Sequence, residues 1–329
     1  MRVGHFQMVA MDARTNSLPR YVLTLAELAQ ITGEPTTRLR KRISDEGLID
    51  LGGRGFAVRP EAVRAELSRR GVSYDFAIVA HINLKGGVGK TTSTITIATR
   101  AAQYGFRTCV LDLDSQASAS MAFGSLPEED EPIFYDIWAK PADMLPGSLK
   151  KIDDHLWLLP SSLENGLLDA SLTNPKHQKR AVRGVCEQLK HEGFDLVLID
   201  CPPSLGTAVI SSICAANVIV IPVAGDPFSF KGLDLTLGEI EAICETYSLP
   251  HPVVKVLFSR YDRREKLAAQ AIEKLAGPYA NYAVPVHIRV TTEFSKSLAR
   301  GETVFAHARK SSAREDYDAL VRHLLGIDH

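Results

Sequence analysis

Nowhere in the 329 residues do about 18 consecutive residues stay apolar, the length a membrane-crossing helix needs. A strong net charge is missing too. The 38 Lys and Arg against 39 Asp and Glu leave −1 at neutral pH, so any nucleic-acid contact must come from a local patch. Cysteine is scarce and odd in number. Cys109, Cys186, Cys201, Cys214 and Cys244 stand far apart, mostly among apolar neighbours, which excludes a disulfide framework or zinc site and fits buried reduced thiols. The two tryptophans, Trp138 and Trp157, are too few for a base-stacking platform and read as core. There is no internal repeat and no low-complexity segment, and Met1–Arg20 lacks the apolar stretch of a secretion signal. These absences predict a cytoplasmic globular protein of one large or two modest domains.

What is present changes character near residue 75. Beyond it, apolar runs alternate with amphipathic stretches: Phe76–Asn83, Thr108–Leu113, His155–Leu159, Leu196–Asp200, Val218–Val223, Val253–Ser259 and Tyr282–Val286. Continuous Val/Ile/Leu runs separated by helices predict an α/β fold, a mostly parallel sheet covered by helices on both faces. The acidic stretch 125–132 reads as an exposed loop.

The first 74 residues differ. Leu25, Leu28 and Ile31 share a helical face, Thr24 and Glu27 form a capping pair, and Gly33 stops the helix. A second helix from Pro35 carries Thr36, Thr37, Arg38, Arg40, Lys41 and Arg42. Leu48–Val58, with Arg54 among glycines at its tip, predicts a hairpin, and Pro60–Arg70 a closing helix. The segment holds 12 Lys and Arg against 8 Asp and Glu, and its positive charge gathers on the second helix. The pattern predicts a small winged helix-turn-helix domain over 20–74 that meets DNA through those residues, with 1–19 as an arm and 75–329 as the α/β domain.

Three motifs sit where strands of that larger domain end. Lys85-Gly86-Gly87-Val88-Gly89-Lys90-Thr91-Thr92 follows an apolar strand and opens a helix, the context of a phosphate-binding loop. Backbone N–H groups of Gly86, Gly87, Val88 and Gly89 would cradle phosphate, Lys90 would reach the outer phosphates, and Thr91 would serve Mg²⁺. Lys85 is surplus in that scheme. Asp112 and Asp114 end the second strand, and Asp200 ends an apolar strand before Pro202 and Pro203, where a metal-holding aspartate of a P-loop NTPase belongs.

Together, Lys85–Thr92, Leu111-Asp-Leu-Asp-Ser-Gln116 and Asp200-Cys-Pro-Pro-Ser-Leu-Gly206 resemble the deviant Walker A, A′ and B motifs of the ParA family of partition ATPases, over about residues 76–325. The winged segment resembles that of the larger members of the family. The resemblance implies ATP and ADP as ligands with Mg²⁺ at Thr91 and, through water, Asp200. It implies slow hydrolysis with Asp114 orienting water, and an ATP-dependent sandwich homodimer in which Lys85 reaches the partner's phosphates. It also implies nonspecific DNA binding by that dimer, operator binding by the N-terminal domain, and a ParB-type partner that stimulates hydrolysis. Ser115 stands where the family usually has Pro. Candidates for nonspecific DNA contact are Arg289, Arg300, Arg309, Lys310 and Arg314. The alternative is a relative that positions a protein cargo on the nucleoid. A membrane-bound relative of the MinD type would need a basic amphipathic C-terminal helix, which Tyr317–His329 does not supply, so no membrane partner is expected.

Overall fold

The computed structural model describes residues 19–306 and 310–327. The predicted arm falls almost wholly outside them, and so does Arg309. The first structured unit runs β1 (Leu23–Thr24), α1 (Leu25–Thr32), α2 (Thr36–Arg42), β2 (Leu48–Asp50), β3 (Phe56–Val58) and α3 (Pro60–Ser68). The capping pair forms both ways: Thr24 Oγ1 accepts from the Glu27 N–H, and the Glu27 carboxylate accepts from the Thr24 N–H. Gly33 ends α1 in the left-handed conformation with φ 65°. β3 pairs antiparallel with both β1 and β2, and the β2–β3 turn exposes Arg54. Leu28, Leu39 and Val63 are fully buried inside the unit, each burial contributing roughly 2 kcal/mol.

The rest is one eight-stranded sheet: β4 (Ala77–His81), β5 (Thr108–Asp112), β6 (Lys150–Asp153), β7 (Leu156–Leu159), β8 (Leu196–Asp200), β9 (Val218–Val223), β10 (Val253–Tyr261) and β11 (Ala283–Arg289). Their spatial order is β11-β10-β9-β4-β8-β5-β7-β6. Every neighbouring pair is parallel except β6–β7. β6 is the one strand of this sheet that the apolar pattern does not announce, because Lys-Lys-Ile-Asp at a sheet edge needs no apolar run. β4 leads through the glycine loop into α4 (Lys90–Gln103). One sheet face is covered by the helices Pro175–His191, Thr207–Ala215 and Pro227–Thr246, the other by α4 and Ser312–Leu325.

The N-terminal unit is not tethered loosely beside the sheet. Its Leu23, Leu28, Val63 and Leu67 belong to one apolar core with Ala98, Ala101 and Tyr104 of α4 and its end. Arg64 of α3 grips Asp195 with two hydrogen bonds, of 2.5 and 3.1 Å, and also donates to the Gly105 carbonyl. Gly105 has φ 86°, and a Cβ there would lie 2.6 Å from both the Pro60 carbonyl and Arg64. Only glycine allows that approach. Glu27 pairs with Arg314 at 2.6 Å and with the buried Arg100 of α4 at 3.5 Å.

Candidate nucleotide and DNA sites

All three motifs converge at the carboxyl edge of the sheet, where open α/β sheets bind ligands. Asn83 braces the glycine loop. Its amide donates to the Pro222 carbonyl at 2.7 Å, and its side-chain oxygen accepts from the Lys85 N–H at 2.8 Å. Gly87 (φ 72°) and Gly89 (φ 96°) take backbone conformations that side chains resist. The loop opens on a cleft of about 290 Å³ bordered by Gly86, Lys90, Thr91, Thr92, Asp114 and Pro203. Lys90 is buried and donates to the carbonyls of Asn83 (3.1 Å) and Lys85 (3.3 Å). Burial pushes its pKa down against the pull of Asp200.

Asp112 and Asp200 face each other across the β5–β8 register and are both fully buried. Asp112 is satisfied, accepting from the N–H (2.8 Å) and hydroxyl (2.7 Å) of Ser120. Asp200 is not: its Oδ2 has no hydrogen-bond partner among the described residues. Burial and the nearby Asp112 push its pKa up to about 8. A buried carboxyl so placed ionises most readily when a cation joins it, and Thr91 stands on the same cleft. Asp114 is partly exposed beside it. Its carbonyl accepts from Ser161 Oγ at 2.7 Å, and its carboxylate from the Gln116 N–H at 3.0 Å.

Lys85 does not enter this cleft. Its ammonium donates to both oxygens of Asp226 at 2.7 Å and to Ser229 Oγ at 3.0 Å. Asp226 was not among the sequence candidates. Its signal was Asp-Pro-x-Ser, an N-cap opening a helix just past an apolar strand.

The DNA candidates separate by environment. Thr36, Thr37, Arg38, Lys41 and Arg54 are exposed on one unit. Arg40 is drawn back, paired with Asp45 at 2.8 Å and lying over the Phe56 ring. Arg42 clasps Glu66 at 2.5 Å and Glu34 at 3.0 Å, fastening α2 to α3. Arg289 is held by Asp316 at 2.6 Å and Glu315 at 3.2 Å, and Arg300 by Glu302 at 3.2 Å. Lys310 is exposed. Arg314 is buried against Glu27, which removes it from any DNA surface.

Residues 76–250 match the AAA_31 family model, described as an AAA domain. The chain belongs to that family. It is a P-loop ATPase of the ParA/MinD superfamily. It is 28% identical over 244 residues to the cell division protein PomZ of Myxococcus xanthus, a match covering 74% of this chain and 76% of PomZ. It is 26% identical to the chromosome-partitioning ATPase Soj of Treponema pallidum, covering 75% of this chain and 96% of Soj. Among solved structures, cobyrinic acid a,c-diamide synthase from Mycobacterium smegmatis with a bound ATP analogue and magnesium superposes with a TM-score of 0.60 at 25% identity, covering 76% of this chain and 96% of that one.

Proposed function

We propose that this ATPase is a DNA-partition switch whose ATP-bound form is a sandwich dimer on DNA and whose slow hydrolysis, stimulated by a ParB-type partner, releases it. The observation that carries the reading is Lys85, a second lysine in a phosphate loop already served by Lys90, standing outside its own cleft. ATP or ADP would lie on Gly86–Gly89, with Lys90 on the outer phosphates. Mg²⁺ would be held by Thr91 and, through water, Asp200, where it neutralises phosphate charge. Asp114 would orient the attacking water. The apolar side chains of Leu205 and Phe228 are 41% and 75% exposed, on the segments that follow β8 and β9, whose ends lead into Asp200 and Asp226. A second copy would cover them.

Asp200→Asn removes the cost of burying an ionisable carboxyl beside Asp112. It is expected to raise the melting temperature of the nucleotide-free protein by a few degrees and to abolish the further rise given by Mg²⁺ with ATP. Differential scanning calorimetry reads both. A wild-type Mg²⁺ response in the variant would remove Asp200 from the metal site.

For DNA, the exposed Arg38, Lys41 and Arg54 support operator binding by residues 20–74 as a winged helix-turn-helix domain. Arg38→Ala, Lys41→Ala and Arg54→Ala together are expected to weaken operator binding about a hundredfold. The log–log salt slope should fall by about 3, one counterion per lost contact. ATP-dependent nonspecific binding should persist. Unchanged operator affinity in a fluorescence-anisotropy titration would place the DNA surface elsewhere. The second reading is the same switch carrying a protein cargo, and similarity to a cell division protein is compatible with it. That reading predicts no operator binding at all.

A further inference from the structure

Arg260 occupies a position that its residue type resists. It is an arginine in the left-handed region, with φ 58°. The strain falls where β10 loses register with β11, between the Phe258–His287 and Tyr261–Arg289 pairs. Irregularities of this kind re-aim side chains, and strained residues persist where the surroundings hold them in place. The holding groups are visible. On one side, Ser259 Oγ donates to the Val88 carbonyl at 2.7 Å and lies 3.0 Å from the Val223 carbonyl, tying β10 to the glycine loop. On the other, Tyr261 packs among Phe258 and His287, and the Asp262 carboxylate is taken by Arg264. The backbone between them turns over, and Arg260 is thrown outward across the loop. Its Nη1 lies 3.5 Å from the Gly87 carbonyl, at the outer limit of a hydrogen bond. The side chain is exposed and forms no ion pair among the described residues. A guanidinium in contact with the phosphate loop, with no carboxylate to satisfy it, lacks only its anion.

We propose that Arg260 is a nucleotide-binding residue, a cation set at a strained bend to grip the diphosphate of a nucleotide held on Gly86–Gly89 of the same subunit. This rests on the nucleotide reading above and adds a third cation to it. Lys90 approaches from beneath the loop and Arg260 from the β10 side, while Lys85 is held away by Asp226. Its strain then has a purpose, since a relaxed residue here would point elsewhere.

The test uses the full chain with ADP, which tests binding by the single subunit. Arg260→Gly removes the cation and also the strain, so two readouts should move in opposite directions. The melting temperature without nucleotide should rise by a few degrees. The dissociation constant for fluorescently labelled ADP should rise about tenfold. Arg260→Asn, which also tolerates positive φ, should behave alike and stands in if the glycine variant folds poorly. Arg260→Lys should recover part of the affinity without the gain in stability. ADP binding unchanged in the glycine and asparagine variants overturns the proposal, as does weakened DNA binding with ADP affinity intact. No ADP binding by the wild-type chain would instead sink the nucleotide reading itself.

Discussion

Lys85→Ala is expected to leave nucleotide binding by single subunits within about twofold of wild type while abolishing the ATP-dependent dimer, a loss of at least a hundredfold in self-association. The asymmetry follows from where the side chain sits. Its ammonium rests between Asp226 and Ser229, so removing it takes no cation from the subunit's own cleft, where Lys90 remains. Across a dimer interface the same ammonium would meet phosphates in a water-excluded space, where a charge pair gains several times what it gains in water. To get there it must leave Asp226, whose carboxyl the pairing helps hold down at a pKa of about 2. That pair is about one-third exposed on each side, so it is weak, on the order of 1 kcal/mol or less. Asp226→Asn keeps the helix cap and drops the charge. It should lower the ATP concentration needed for dimerisation by a few fold. Light scattering after size-exclusion chromatography, with and without ATP, reads both variants. A Lys85→Ala protein that dimerises and hydrolyses ATP like wild type would falsify the sandwich.

Most of the framework was legible because period and punctuation agree locally. Thr24, Glu27 and Gly33 mark both ends of α1, and the apolar runs place seven of the eight strands of the large sheet to within a few residues. The phosphate loop was legible for the same reason: Gly87 and Gly89 are needed where φ is positive. What stayed hidden depends on contacts between distant segments. Nothing near Lys85 reveals Asp226, 141 residues away. Charge counting gave α2 four basic residues for DNA, yet Arg40 and Arg42 close on Asp45, Glu34 and Glu66. Arg314 read as surface because a charged residue usually is, whereas Glu27 gives it a partner in a buried site. Arg260 had no signature, since strain at a strand end is a property of the folded backbone alone.

Those same long-range contacts decide what happens when residues 1–74 are removed. The Treponema relative is matched over 96% of its length by 75% of this chain, so most of a ParA-like ATPase exists without such a unit. Here the unit has become part of the core. Its removal uncovers Ala98, Ala101 and Tyr104, deprives the buried Arg100 of Glu27, and leaves the largely buried Asp195 without Arg64. The apolar face that the unit covers is the larger loss, because the charges left behind gain water as the unit departs. The fragment 75–329 is therefore expected to melt at least ten degrees below the full chain and to aggregate, losing ATP binding. Calorimetry of the fragment beside the full chain reads this directly. A fragment that stays monomeric, melts within two or three degrees of the full chain and binds ATP normally would mean that the shared core contributes little. The proposed DNA contacts of the unit are therefore best tested apart from the ATPase at the exposed Arg38, Lys41 and Arg54, which support no core residue.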